Sequence, residues 1–248
     1  MNLKIYSLGI LALFFIGCAQ PGKESQKPSE KDFARAEDLQ RAGRYEMAIE
    51  KFELVRNKYP LSEEALEAEL KIADTYFLQQ NYIEALSGYQ VFKELHPRSR
   101  HLPYVQYKIA LSHFKQVPST ADRDLTPCNK AIEAFQELQS LHPNSPYAKE
   151  SEERIKECRR KLAEKEFYVG NFYFKQEHYK SAAQRFESIL TTYPGLNFDE
   201  EALYYLGVSL FNLKEYPQAQ TKFKELIKRF PDGEFRSESE NYLSQIPQ

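Results

Sequence analysis

Residues 179–194 read YKSAAQRFESILTTYP, and the spacing inside this segment decides the fold. Ala182 is followed four residues later by Phe186 and eight residues after that by Pro194. The same spacing of alanine, aromatic and proline occurs five times along the chain: Ala48/Phe52/Pro60, Ala85/Tyr89/Pro97, Ala131/Phe135/Pro143, Ala182/Phe186/Pro194 and Ala219/Phe223/Pro231. Five such sets in register predict a tandem-repeat protein.

Helix geometry gives this spacing a physical meaning. An alanine and an aromatic residue four apart lie on one helix face, where the small side chain admits a neighbouring helix and the ring fills the space beside it. The proline ends the helix, because it lacks an amide donor and disfavours helical geometry in the residue before it. Twelve residues before the alanine, four copies hold a second small residue: Ala36, Ala73, Gly170 and Gly207. We therefore predict two helices per repeat.

The pattern is similar to the tetratricopeptide (TPR) repeat, a helix-turn-helix hairpin. One hairpin cannot bury its own apolar face, so stacked hairpins form a continuous core and a curved superhelix. The resemblance implies an all-α TPR superhelix of five helix-turn-helix repeats, which we place over residues 32–248 as one domain.

Two irregularities interrupt the repeat. Successive alanines are 37, 46, 51 and 37 residues apart, so the third repeat gains 9 residues and the fourth gains 14. If Ala110 is the small residue of the third repeat, its extra residues form an exposed loop around residues 117–127, VPSTADRDLTP. The extra residues of the fourth repeat contain neither Pro nor Gly from 147 to 169, which predicts an N-terminal extension of its first helix by about four turns.

The N-terminus indicates a secreted protein with a lipid anchor. Lys4 precedes an apolar stretch over residues 5–16, which is too short to span a bilayer, where about 20 residues are needed. Residues 15–18, FIGC, resemble the bacterial lipoprotein cleavage site, in which a small residue precedes the acylated cysteine. We expect a signal peptide over residues 1–17 and lipidation at Cys18. The alternative is an ordinary signal peptide cleaved nearby.

The segment after the cysteine is polar, contains two prolines and lacks apolar periodicity. We expect residues 18–31 to be a lipidated flexible tether that lets the repeats stand off the membrane. Ala19 follows the cysteine, so the aspartate that signals inner-membrane retention in enteric bacteria is missing. The expected location is the outer membrane.

Residues 122–194 carry a closer resemblance. The Asp122-Arg123-Asp124 loop, the turn at residues 143–145 and the segment 162–168 resemble the BamD family in kind and spacing. BamD proteins are the TPR lipoproteins of the outer-membrane β-barrel assembly machinery. The two insertions, the overall layout and the lipoprotein cleavage site agree with that resemblance.

The resemblance implies a non-enzymatic role on the periplasmic face of the outer membrane. It implies that the C-terminal repeats bind BamA, the barrel-forming insertase, alongside other assembly-machinery lipoproteins. The partner-facing arginine of the fourth repeat corresponds to Arg185, and Asp122, Arg123 and Asp124 belong to the same implied partner-binding set. The alternative for Arg185 is a solvated helix residue. The N-terminal repeats are implied to receive unfolded outer-membrane proteins.

Residue spacing suggests where such substrates bind. Positions three before and four after each small residue of the first helices share one side of the helix. In a solenoid these helices line the concave face, where aromatic rings could form pockets for an extended segment rich in aromatic side chains. We select the N-terminal members, which are Phe33, Leu70, Phe77 and Tyr107. The alternative is that these side chains pack between helices.

Other function classes find little support in the composition. The formal net charge is −2, without the basic stripe of a nucleic-acid-binding protein. No HExxH, GxSxG or glycine-rich phosphate loop occurs, so we expect no enzyme, cofactor or metal site. The alternative function is a TPR envelope scaffold lipoprotein that coordinates peptidoglycan or polysaccharide machinery.

Two further cysteines, Cys128 and Cys158, would face an oxidising compartment in which a disulfide is allowed. Cys128 occupies the tyrosine position of its repeat, and Cys158 lies in the long helix. Two separately buried thiols are the favoured interpretation, with a disulfide as the alternative.

Overall fold

The computed structural model describes residues 27–247 of the chain. This part of the protein is all-α and consists of eleven helices: α1 Pro28–Arg41, α2 Tyr45–Lys58, α3 Glu63–Leu78, α4 Tyr82–Leu95, α5 Leu102–Lys115, α6 Thr126–Leu141, α7 Pro146–Lys175, α8 Tyr179–Thr192, α9 Asp199–Asn212, α10 Tyr216–Arg229 and α11 Arg236–Gln245. The predicted signal peptide, Cys18 and residues 18–26 lie outside the described residues.

Residues 28–31, which were assigned to the tether, are helical instead. Pro28 suits the first turn of a helix, and Glu30 accepts a hydrogen bond from the amide of Lys27.

The second helix of each repeat follows the predicted pattern. The five alanines and the five aromatic residues four positions later are completely buried. Each of these helices, α2, α4, α6, α8 and α10, ends two residues before its proline. The residue between helix and proline closes the helix, as when Tyr59 donates its amide to the carbonyl of Val55.

The small residues of the first helices mark where two helices cross. A Cβ atom added to Gly170 would lie 2.9 Å from Cε1 of Phe186, and one added to Gly207 would lie 2.6 Å from Cε1 of Phe223. Both distances are shorter than real Cβ contacts, so a larger residue at either position would force the neighbouring phenylalanine ring to move. The corresponding alanines of the other three repeats are completely buried: Ala36, Ala73 and Ala110.

Stacking of the hairpins produces the superhelix. Each helix packs against the next one along the chain, and first helices of neighbouring repeats also contact each other, as α5 does α7. Four hydrophobic clusters succeed one another from the N-terminal to the C-terminal repeat. The resulting core is continuous but thin, as expected of a solenoid in which each repeat contacts only its neighbours.

Both insertions have the predicted form. Helix α7 has 30 residues, about 45 Å in length, whereas the other first helices have 14 to 16. The loop of the third repeat covers residues 116–125, and Thr126 and Pro127 belong to α6 because proline is well tolerated in the first helical turn.

Helix α11 was missed in the sequence, since it lacks the alanine, aromatic and proline pattern. It covers the last repeat by stacking Tyr242 on Phe223, with ring centroids 5.3 Å apart and an interplanar angle of 9°. An atypical terminal helix of this kind shields the exposed end of a solenoid core.

Candidate partner surface and substrate face

The loop of the third repeat is fastened to helix α7. Lys161 donates to the carbonyl of Ser119, and Lys165 donates to the carbonyl of Arg123 over 3.1 Å. These two lysines are four residues apart, so they reach the loop from one face of α7. The long helix therefore positions the loop on its surface.

The three loop residues of the implied partner-binding set, 122–124, are all exposed. Asp124 caps the start of α6, because its Oδ1 accepts from the hydroxyl of Thr126 over 2.7 Å and from its amide over 3.0 Å. These hydrogen bonds hold the pKa of the Asp124 carboxyl below its usual range. A hydrogen bond with Thr120 likewise lowers the pKa of Asp122. Both carboxylates are thus held in the ionised form beside the Arg123 side chain.

Arg185 lies on α8, and its side chain is 45% exposed. Its Nη1 lies 3.2 Å from Oε2 of Glu166 on α7. Glu166 directly follows Lys165, the residue that holds the carbonyl of Arg123. Arg185 and the loop are therefore attached to the same turn of α7 and lie on different sides of that helix.

An exposed aromatic pair lies beside the loop. Tyr168 and Phe172 are 56% and 57% exposed, and they are four residues apart on α7. They line a groove whose opposite wall is formed by residues 119–122. Aromatic and arginine side chains are enriched in the cores of protein interfaces.

The predicted substrate residues do not form one exposed surface. Leu70 and Tyr107 are only 5% and 7% exposed, because both pack in the cores between helices. Phe33 and Phe77 are partly exposed, with Phe33 tilted against Phe52 at 5.5 Å. Leu70 and Tyr107 therefore pack between helices, as the alternative interpretation predicted. Phe77 is close to both of their clusters, whereas Phe33 lies apart in the first repeat.

A cation beside Phe77 was missed in the sequence. Nζ of Lys108 lies 3.3 Å from the ring centroid of Phe77, and Tyr104 and Tyr89 both donate to Oδ1 of Asp74 nearby, each over 2.6 Å. Burial lowers the pKa of Lys108 to about 8, against a smaller raising effect of Asp74. The signal in the sequence was a lysine within the apolar segment of α5, YVQYKIAL.

The two thiols do not lie in separate places. Cys128 on α6 and Cys158 on α7 are free thiols, both completely buried in the same hydrophobic cluster and close enough that each shifts the pKa of the other. The favoured expectation of two buried thiols that are not joined agrees with this arrangement, and the packing of the α7 extension against α6 places both in one cluster.

Residues 27–247 contain no group of three or more His, Cys, Asp or Glu side chains that could hold a metal ion. No helix in the same range combines the length and the apolar character needed to cross a bilayer.

Comparison with known proteins identifies the family. Residues 25–213 match the YfiO family, described as outer membrane lipoprotein, and residues 201–233 match a tetratricopeptide repeat family. The outer membrane protein assembly factor BamD of Neisseria meningitidis serogroup A is 29% identical over 216 residues, covering 81% of each chain. BamD of Rickettsia prowazekii is 30% identical over 200 residues, covering 78% of this chain and 79% of that protein.

Among solved structures, the TPR2AB domain complex of yeast Sti1 with pHSP90 aligns with 88% of this chain and 82% of its own, at 16% identity and a TM-score of 0.47. The YfiO match spans the lysine-bound loop, the long helix and Arg185. This chain therefore belongs to the BamD (YfiO) family of TPR outer membrane lipoproteins.

Proposed function

We propose that this protein is a lipid-anchored subunit of the outer-membrane β-barrel assembly machinery. Cys18 carries the lipid, and the repeat domain faces the periplasm. The C-terminal repeats bind BamA, and the N-terminal repeats bind unfolded outer-membrane proteins. The match to the YfiO family over residues 25–213 carries this proposal, together with relatives named as outer membrane protein assembly factors.

The surface around α7 supports a protein partner. It combines an arginine, Arg185, with two exposed aromatic side chains, Tyr168 and Phe172, and with the charged loop 122–124. Aromatic and arginine side chains provide most of the binding energy in many interfaces. The loop contacts Lys165 and Arg185 contacts Glu166, the next residue of α7, so one partner domain could reach both.

The exposed side chains of the N-terminal repeats suit a substrate that is an extended polypeptide segment rich in aromatic side chains. Phe33 in the first repeat and Phe77 in the second remain partly exposed, while Leu70 and Tyr107 pack in the cores of the second and third repeats. Lys108 brings a cation to the ring of Phe77. A segment that carries both aromatic side chains and a negative charge would be complementary to this part of the surface.

An affinity pull-down tests the partner. Full-length tagged protein is isolated from detergent-solubilised outer membranes of its own host, and the proteins that accompany it are identified. We expect BamA in the eluate. If BamA is absent under mild detergent while peptidoglycan or polysaccharide proteins are recovered, the protein is a scaffold of another machinery.

Two further measurements test the anchor and the substrate face. Cys18→Ala should release the protein from the outer-membrane fraction, and mass spectrometry of the wild-type N-terminus should detect the acyl chains. A photo-crosslinking residue in place of Phe77 should capture unfolded barrel proteins, whereas one in place of the exposed Lys228 on α10 should not. Equal capture at both positions would contradict the proposed substrate face.

A further inference from the structure

A pair of buried thiols lies between the third repeat and the long helix. Cys128 is in the first turn of α6, and Cys158 is near the middle of α7. Both are free thiols without exposed surface, belong to one hydrophobic cluster and are close enough to shift each other's pKa. The two cysteines come from different helices, so their proximity depends on how α6 packs against α7.

We propose that Cys128 and Cys158 are joined by a disulfide in the mature protein, which covalently links α6 to α7. This inference rests on the proposed location of the repeats in the periplasm, an oxidising compartment in which neighbouring thiols are readily converted to disulfides. The two thiols lie in one cluster at the contact between α6 and α7, and a disulfide would join them through an S–S bond of about 2.05 Å.

The surroundings favour a disulfide over other uses of the two cysteines. Their cluster is otherwise formed by apolar and aromatic side chains, among them Leu125, Phe135 and Leu138. A metal would need further ligands, and no group of three ligating side chains exists within residues 27–247. A disulfide is compact and apolar, so it fits such a core without leaving a polar group unpaired.

The oxidant is a protein disulfide of the exchange type. One of the two cysteine thiolates attacks one of its sulfurs and forms a mixed disulfide, releasing the oxidant's first thiolate. The other cysteine thiolate then attacks the sulfur of the first cysteine, forming the internal disulfide and releasing the second thiolate. Two electrons and two protons end on the oxidant, which becomes a dithiol. Because both sulfurs are buried in the folded protein, this exchange occurs before α6 and α7 have packed together.

The link would stabilise the attachment of the partner-facing loop. Lys161 follows Cys158 by one helical turn and Lys165 by two, and these lysines hold residues 119 and 123 of the loop. Cys128 directly follows the loop on its other side, at the start of α6. The disulfide would thus hold the C-terminal end of the loop to the same segment of α7 whose lysines bind residues 119 and 123.

Peptide mapping of the full-length protein tests the proposal. Cells of the native host are quenched with acid and dissolved in urea with N-ethylmaleimide, so that air oxidation cannot create a bond. Trypsin then yields residues 124–130, DLTPCNK, and residues 157–159, ECR. We expect these two peptides as one linked species that separates on reduction. Recovery of both as maleimide adducts overturns the proposal, as does linkage of either one to another thiol.

A variant and a stability measurement serve as controls. Cys128→Ala should remove the linked species and leave residues 157–159 as an adduct. Reduction should lower the thermal midpoint of the wild type by roughly 5–10 °C and leave that of Cys128→Ala unchanged. An equal response of both proteins would overturn the stabilising effect of the link. The BamA pull-down from the same membranes separates failure of this inference from failure of the proposed function.

Discussion

Arg185 and Glu166 form an ion pair between α8 and α7, with Nη1 of the arginine 3.2 Å and 3.4 Å from the two carboxylate oxygens. The pair connects the turn of α7 that holds the loop to the second helix of the fourth repeat. Arg185 is nearly half exposed, so the pair contributes only about 0–1 kcal/mol to stability. The ion pair therefore contributes little to folding, and the exposed guanidinium is accessible to a partner.

Reversal of this charge should abolish BamA recovery. We expect Arg185→Glu to remove BamA from the pull-down eluate while the circular dichroism spectrum stays unchanged, because the partner loses its cationic contact. Glu166→Gln should retain BamA, since it frees Arg185 without changing its charge. Arg98→Glu, an equal charge change at an exposed position in the N-terminal half, is the matched control. Retention of BamA by Arg185→Glu would exclude Arg185 as a contact.

A methyl group at the crossing of α9 and α10 should destabilise the last repeat. In Gly207→Ala the new Cβ would lie 2.6 Å from a ring carbon of Phe223, which is completely buried and stacked on Tyr242. Overpacking of this kind costs more than the gain in helix propensity, so we expect a net loss of about 1–2 kcal/mol in urea denaturation. The double variant Gly207→Ala/Phe223→Leu should lose less stability than the sum of the two single losses, because the smaller leucine makes room for the new methyl group. Strictly additive losses would contradict the proposed steric contact.

Lys108 should make stability depend on pH. Its pKa is about 8 in the folded protein and 10.5 ordinarily, so the unfolded state binds more protons between these values. Stability therefore rises with pH across this window, because the penalty for holding a partly buried charge is removed. We expect Lys108→Met to be more stable than the wild type at pH 7 and the difference to shrink by about 1–2 kcal/mol at pH 10, after allowance for solvent screening. Comparison of the two proteins cancels the titration of other groups, and a difference that stays constant would contradict the assignment.

Several features of the fold were predicted correctly because they depend on neighbours close in sequence. The alanine and aromatic spacing, the helix ends before proline and the extension of α7 all follow from helical geometry within one segment. Helix α11 escaped prediction because a terminal helix need not share the repeat pattern. The start of α1 was placed too late because its first turn is polar, and only the contacts at Pro28 and Glu30 define it.

The sequence by itself determined the repeat fold, the two insertions and the family resemblance, because each depends on the spacing of residues that are close together in the chain. The tertiary structure alone decided which side chains meet. By spacing, Leu70 and Tyr107 lie on the same side of their first helices as Phe33 and Phe77 do on theirs, yet neighbouring helices bury Leu70 and Tyr107. Cys128 and Cys158 are brought together by the packing of α6 on α7, because contacts between helices depend on crossing geometry that no single helix encodes.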